Sequence, residues 1–256
     1  MYRRPGTVQK PDMKTDKIYE NASDEQPFRF NAEVAKVFPD MLRRSIPGYA
    51  ATIEAIGSLA ARYVQADTNC YDLGCSLGAA TLAMRQGLRK PGCRIVAVDT
   101  SEAMIERCRD IIREDDRQAS TPAPVDLLHA DIRDIEISNA SMVVLNYTLQ
   151  FLAMADRDRL MQKIFDGLCD GGLLVLSEKV IDDDPEMEQL LVDLHHEHKR
   201  RNHYSELEIS RKRAALENVL IPETVAAHRR RLDTAGFRHS AVWLRYFNFV
   251  SIIAIR

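Results

Sequence analysis

Several features are scarce in this 256-residue chain, and each scarcity closes off a class of protein. No run is apolar for long enough to span a bilayer, so no membrane helix is expected. The first residues, Met1-Tyr2-Arg3-Arg4-Pro5, are charged, yet no apolar segment follows as a secretory signal requires. The five cysteines are odd in number and none stand in a CxxC spacing, so neither a disulfide framework nor a zinc site is expected. A reducing, cytoplasmic setting fits that pattern, with four of them read as small buried hydrophobes and Cys75 set apart because it sits inside the glycine loop. Basic charge is not in excess: the formal net charge is −3 and the isoelectric point about 6.2. That removes the whole-molecule field by which a protein grips nucleic acid non-specifically. Internal repeats and low-complexity tracts are missing as well. What is present is a 45% hydrophobic composition, enough for a well-buried core.

Residues 1–27 are polar and aperiodic and predict a flexible leader, with a single domain over 28–256. Val34, Val37, Phe38 and Met41 recur at helical spacing, which predicts a helix from Asn31 through Met41, broken by Pro47-Gly48. A second helix carries Ile53, Ile56, Leu59 and Ala60. The rhythm then changes to short apolar strands separated by helices. Strands are expected at Asn69–Leu73, Arg94–Asp99, Val125–Leu128, Met142–Leu145 and Leu173–Leu176. From 181 to about 231 the chain is highly charged, with no strand candidate, and reads as a helical insertion. Ala241–Leu244 and Asn248–Ile255 close the pattern as an antiparallel pair. The fold class is therefore α/β: a Rossmann-like, mostly parallel seven-stranded sheet with an antiparallel closing strand and a helical insertion before it.

In such a sheet, ligands sit beyond the carboxyl ends of the strands. The first strand runs into Tyr71-Asp72-Leu73-Gly74-Cys75-Ser76-Leu77-Gly78, where Gly74 permits a sharp turn and Gly78 a close helix approach. This D-x-G-C-S-x-G loop departs from the G-x-G-x-x-G that cradles a pyrophosphate, which weakens a nicotinamide or flavin reading. Asp99 ends the second strand, where a carboxylate can accept two hydrogen bonds from a ribose diol. Ser101 is already a good helix cap, so Asp99 is not needed for that purpose. Asp131, in Ala130-Asp131-Ile132-Arg133-Asp134, can accept from the exocyclic amine of adenine with the Ile132 amide nearby, whereas Asp134 reads as a simple loop acid. Asn146 ends the fourth strand, where an amide can hold the methionine end of a ligand. The glycine loop at the first strand end and polar Asp99, Asp131 and Asn146 at the next three are hard to attribute to chance.

Together these residues resemble the class I S-adenosylmethionine-dependent methyltransferases over roughly 69–180. A longer set of segments resembles the carboxy-S-adenosyl-L-methionine synthases over about 28–256. It comprises Phe38-Pro39-Asp40-Met41, Ser45-Ile46-Pro47-Gly48-Tyr49, YDLGCSLGAAT, AMIERCR, DIRDI, NASMVVLNYTLQFL, LSEK and YSELEISRKR. The resemblance implies conversion of S-adenosyl-L-methionine and prephenate to carboxy-S-adenosyl-L-methionine, phenylpyruvate and water. The product would supply a separate enzyme that carboxymethylates a hydroxylated wobble uridine of tRNA, giving 5-oxyacetyluridine. By position, the resemblance assigns Tyr49, Gly74, Cys75, Ser76, Asp99, Thr100, Asp131, Ile132 and Asn146 to the nucleoside and amino-acid parts of the ligand. It assigns Arg213 to the added carboxylate, as the catalytic residue. A guanidinium offers a planar fork that matches a carboxylate, an anion an ordinary methyltransferase does not have to bind. The family also implies a homodimer, a contact with the downstream tRNA carboxymethyltransferase, no metal, and no direct binding to nucleic acid or membrane. The alternative is a conventional methyltransferase acting on tRNA or a small molecule. Against it, Asn146-Tyr147-Thr148 lacks the D/N-P-P-Y/F signature of amide and base N-methylation.

Other clusters have plainer readings. His195, His196 and His198 stand beside Glu197, but adjacent histidines on a helix face different directions, so a solvated or interface helix is expected rather than a metal site. Lys199-Arg200-Arg201 and Arg229-Arg230-Arg231 read as charged helical faces. Leu190, Leu191 and Leu194 form an apolar stripe that core packing or a dimer contact would explain.

Overall fold

The structure, a computed structural model, describes residues 15–20, 27–118 and 122–256. In chain order the elements are α1 (Ala32–Ser45), α2 (Tyr49–Tyr63), β1 (Asn69–Leu73), α3 (Ala79–Gly87), β2 (Arg94–Asp99), α4 (Glu102–Gln118) and β3 (Val125–His129). They continue with β4 (Ala140–Asn146), a one-turn 3-10 helix (Leu149–Phe151), α5 (Met154–Gly167) and β5 (Leu168–Ile181). The last group is α6 (Pro185–Arg201), α7 (Glu206–Leu216), β6 (Glu223–Thr224), α8 (Val225–Ala235), β7 (His239–Tyr246) and β8 (Phe249–Ile255).

The sheet order is β3-β2-β1-β4-β5-β8-β7, with β6 beside β5. Neighbours from β3 to β5 are parallel, and β8 runs antiparallel to both β5 and β7. The mostly parallel sheet and its antiparallel closing strand are as expected. The two-residue β6 adds an eighth strand, too short to leave any periodicity in the sequence. Central strands are predominantly apolar because helices cover both faces, with Asp72, Ser141, Ser177 and Glu178 as buried polar exceptions. Met142, Val143, Val144 and Leu145 of β4 are all fully buried. Alternation sorts them: Val143 and Leu145 join the cluster under α5 and α8, Met142 and Val144 the cluster under α2 and α3. All five cysteines are free and four are buried, Cys169 being the half-buried one.

Four expectations are corrected. The region 181–231 is not one insertion: β5 reaches Ile181, α6 and α7 form the inserted pair, and α8 belongs to the core. Leu232 and Ala235 of α8 pack in the main cluster, and Arg231 turns inward to Glu223 (2.8 Å) and Asp158 (2.6 Å), so the Arg229–Arg231 run is not wholly a solvated face. Helix α1 continues through Ser45 rather than stopping at Met41, with Asn31 capping it by accepting from Val34 N at 3.0 Å. Finally, residues 15–20 of the leader are docked. Asp16 is 1% exposed; its backbone N–H donates to Asp40 Oδ2 (2.9 Å) and its carboxylate accepts from Tyr204 OH (2.5 Å). These partners lie far away in the chain, beyond the reach of local pattern. Residues 1–14 and 21–26 lie outside the described residues. Among the described residues, no helix is long and apolar enough to cross a membrane.

Candidate functional site

Strand order reverses between β1 and β4, which leaves a crevice beyond their carboxyl ends. The loop after β1 is built to enter it. Gly74 has φ +86°, and the amides of Gly74 and Cys75 both donate to Val98 O on β2 (2.8 and 2.9 Å). Two residues on, Ser76 adopts φ +47° and its amide donates to Asp99 Oδ2 at 2.9 Å. Gly78 serves packing: a Cβ there would meet Cys108 Sγ of α4 at 2.8 Å.

Asp99 therefore organises the site as well as lining it. Its other oxygen accepts from Ser101 N at 2.8 Å, so it does share in the start of α4, while Ser101 Oγ accepts from Met104 N at 3.2 Å. A carboxylate has about four acceptor positions, and the amides of Ser76 and Ser101, with that of Thr100, do not fill them, so a ribose hydroxyl would still find an acceptor. Burial holds the Asp99 carboxyl above its ordinary range, against the opposing pull of the backbone amides.

The crevice is a cavity of about 960 Å³, and Tyr49, Gly74, Cys75, Ser76, Asp99, Thr100, Asp131, Ile132, Asn146 and Arg213 all line it. Residues from α2, from four strand ends and from α7 are thus brought to one place. Asp131 is clamped by Arg133, whose Nη2 lies 2.7 Å and backbone N 2.8 Å away, and this hydrogen bonding keeps its carboxyl ionised below the usual range. An adenine amine would share Asp131 with that guanidinium. Asn146 Oδ1 is buried with no hydrogen-bond partner among the described residues, an acceptor that an ammonium would satisfy. An acceptor for an ammonium, a carboxylate for a diol and a backbone loop free of side chains at Gly74 together fit S-adenosylmethionine.

Sequence reasoning passed over several lining residues. Asp72 is 1% exposed, accepts from Thr81 Oγ1 (2.6 Å), and is pushed up to about 6 chiefly by burial. Glu178 does not itself line the cavity but stands between the lining residues Asn146 and Lys179 in the fold: pushed up to about 8 by burial, it accepts from the amides of Leu149 and Gln150 (3.0 Å each) and so fixes the turn that follows β4. The largest correction concerns α6. His195 is buried, not solvated: its Nε2 sits 2.9 Å from Ser45 O and its ring 4.8 Å from Phe249, and burial holds it well below the usual histidine range. Lys199 is buried too, and with Val192, His195 and His196 it lines the cavity. That i, i+3, i+4, i+7 spacing was the available signal, obscured by the charged residues between.

Replacing Asp99 by alanine removes acceptors for two loop amides and for the ribose. The expected loss in S-adenosylmethionine affinity is about 1–3 kcal/mol, measured by calorimetry on a variant whose folding is checked by thermal melt. Unchanged affinity would remove Asp99 from the nucleoside site.

Residues 71–172 match the model of a methyltransferase domain family. The chain is 55% identical over 229 residues to the carboxy-S-adenosyl-L-methionine synthase of Aliivibrio fischeri, covering 90% of this chain and 93% of that one. It is 54% identical over 244 residues to the synthase of the same name from Trichlorobacter lovleyi, covering 95% and 99%. Among solved structures, magnesium protoporphyrin IX methyltransferase from Synechocystis superposes with a TM-score of 0.58 at 14% identity, covering 84% of this chain and 87% of that one. That likeness is one of fold.

Proposed function

This chain belongs to the carboxy-S-adenosyl-L-methionine synthase family, and from that premise we propose that it makes its product with prephenate as the carboxyl donor. The observation that carries the reading is Arg213. It lines the same cavity as Asp99 and Asn146, and among the described residues its guanidinium has no ion pair or hydrogen bond. A free guanidinium beside a sulfonium site suits a ligand that gains a carboxylate there.

The chemistry balances without an outside redox partner. Loss of the ring carboxylate of prephenate as carbon dioxide sends its electron pair into the ring and expels hydroxide, leaving phenylpyruvate. The hydroxide takes a proton from the sulfonium methyl to give water, and the resulting carbanion bonds to carbon dioxide. The protein's share is binding, orientation and dryness. Asp99 and Asn146 fix the two ends of S-adenosylmethionine. Phe28, Phe30, Phe38 and Phe151 line the cavity as an edge-to-face chain, with Phe30 centroids 4.9, 5.9 and 5.3 Å from the other three. That wall excludes water that would reprotonate the carbanion.

The same reading places the enzyme in the cytoplasm as a homodimer, its product passing to a tRNA carboxymethyltransferase so that the product rather than this chain meets tRNA. Met187 and Leu190, 44% and 48% exposed on α6, support a subunit contact. The test is incubation with S-adenosylmethionine and prephenate, read by mass spectrometry. Carboxylated sulfonium and phenylpyruvate are expected in equal amounts. Inert prephenate with methyl transfer to tRNA would establish the conventional methyltransferase instead.

A further inference from the structure

The cavity carries both signs of charge. Asp72, Asp99 and Asp131 line it, Asp131 paired with Arg133, and so do Lys179, His196, Lys199 and Arg213, a basic cluster whose members are close enough to act on one another, with Glu188 near Lys179. The acidic residues suit a cationic sulfonium ligand, which brings a single carboxylate on its amino-acid part, so the number of cations in the basic cluster exceeds what that ligand needs. Lys199 is the sharpest case. It is 7% exposed, and its ammonium makes no hydrogen bond or ion pair with any described residue. A buried ammonium without a partner is unfavourable, and more so beside other cations. Burial first, then Lys212, Lys179 and Arg213, push its pKa down to about 7. Lys212 differs, because it donates to Ser45 Oγ (2.9 Å) and approaches Asp16 (3.9 Å). Lys179 is also held below the usual lysine range, first by burial and also by Arg213, with Glu188 the carboxylate that pulls the other way among the described residues.

We infer that Lys199 and Lys179, with His196 as a further N–H donor, form a second carboxylate receptor in the cavity, built for the carboxylate that the donor acid keeps. The inference rests on the reading above, in which the donor is an acid with two carboxylates. Arg213 receives the carboxylate that moves, and the lysine pair holds the one that stays. The chemistry requires this division. A carboxylate about to leave as carbon dioxide loses its charge in the transition state, so a cation gripping it would stabilise the ground state and slow the step. The retained carboxylate keeps its charge throughout, and pairing it orients the acid at no expense to the barrier. The leaving carboxylate is then left without a cation, and the poor solvation of a cavity also lined by Phe28, Phe30, Phe38 and Phe151 favours its loss of charge.

Phenylpyruvate is the direct probe, because it carries only the retained carboxylate. Lys199→Gln and Lys199→Met in the full chain are expected to weaken phenylpyruvate binding by about ten-fold or more in calorimetry. Affinity for carboxy-S-adenosyl-L-methionine should move by less than about two-fold, and the KM for prephenate should rise more than kcat falls. Lys199→Met should melt no lower than wild type, since it removes a buried unpaired charge, so misfolding does not mimic the result. Lys179→Gln should act in the same direction. Unchanged phenylpyruvate binding in the Lys199 variants, with wild-type turnover of prephenate intact, overturns the receptor. An equal loss for the carboxylated cofactor overturns it as well, by merging Lys199 with the Arg213 site. A wild-type enzyme inert toward prephenate overturns the underlying reading instead, which separates the two failures.

Discussion

Gly74→Ala is expected to lower stability by about 2–4 kcal/mol and S-adenosylmethionine affinity by about 10- to 100-fold. Two effects add. At φ +86° an L-side chain is strained, by roughly 1–2 kcal/mol. The new methyl would also overlap Thr148, reaching Cγ2 at 2.5 Å and Cβ at 3.0 Å, and crowding Oγ1. Thr148 has no room to retreat, because the turn it begins is pinned by Glu178 at the Leu149 and Gln150 amides. The overlap is relieved only by lifting the loop, and that pulls Gly74 and Cys75 from Val98 O and Ser76 from Asp99. Gly171→Ala is the control. Gly171 also has positive φ (+72°), but its methyl would find only Gln65 Nε2, at 4.0 Å. It should lose about 1 kcal/mol by strain alone and keep full affinity. Denaturant melts and calorimetry on both variants make the comparison. Wild-type affinity in a folded Gly74→Ala protein would mean that this loop is not the cofactor cradle.

The contrast between those two glycines shows what a sequence carries and what it does not. Both mark turns, and nothing local tells which one has Thr148 packed above it. The sheet was legible because its strands are short, mostly apolar runs set off by Gly, Pro and Asp, and burial on both faces leaves few polar positions, such as Asp72 and Ser141, to blur them. The strand-end acids and Asn146 were legible because the topology alone decides where strand ends go. Helix α8 was not, because its few apolar residues, Leu232 and Ala235, sit behind an arginine run that pairs inward through Arg231. The docked residues Asp16 and Tyr19 were hidden for another reason: their partners are on α1 and next to α7, and Tyr204 lies 188 positions from Asp16. Lys199 was misjudged because charge predicts exposure on average, and only the packing of α6 against α1 and β8 reveals a lysine facing a cavity.

Arg213→Ala is expected to weaken binding of carboxy-S-adenosyl-L-methionine by about ten-fold or more beyond any loss for S-adenosylmethionine, because only the former presents the added anion. The element that carries Arg213 is well anchored. Helix α7 begins with a reciprocal cap, in which Glu208 N donates to Ser205 Oγ (3.3 Å) and Ser205 N to Glu208 Oε2 (2.8 Å). It is held down by Lys212 at Ser45 Oγ, and the loop before it by Tyr204 at Asp16. The Arg213 side chain takes no part in those contacts, so its removal leaves α7 in place and the melting temperature close to wild type. The loss is therefore read as recognition rather than as collapse of α7. Arg213→Lys should recover only part of the discrimination, since an ammonium cannot present two parallel N–H groups to one carboxylate. Titration of both ligands against wild type and both variants supplies the numbers. Turnover should fall in the same order, alanine below lysine below wild type, because the carboxylate that Arg213 receives is formed in the step itself. Equal losses for the two ligands would leave Arg213 as a residue that shapes α7 and nothing more.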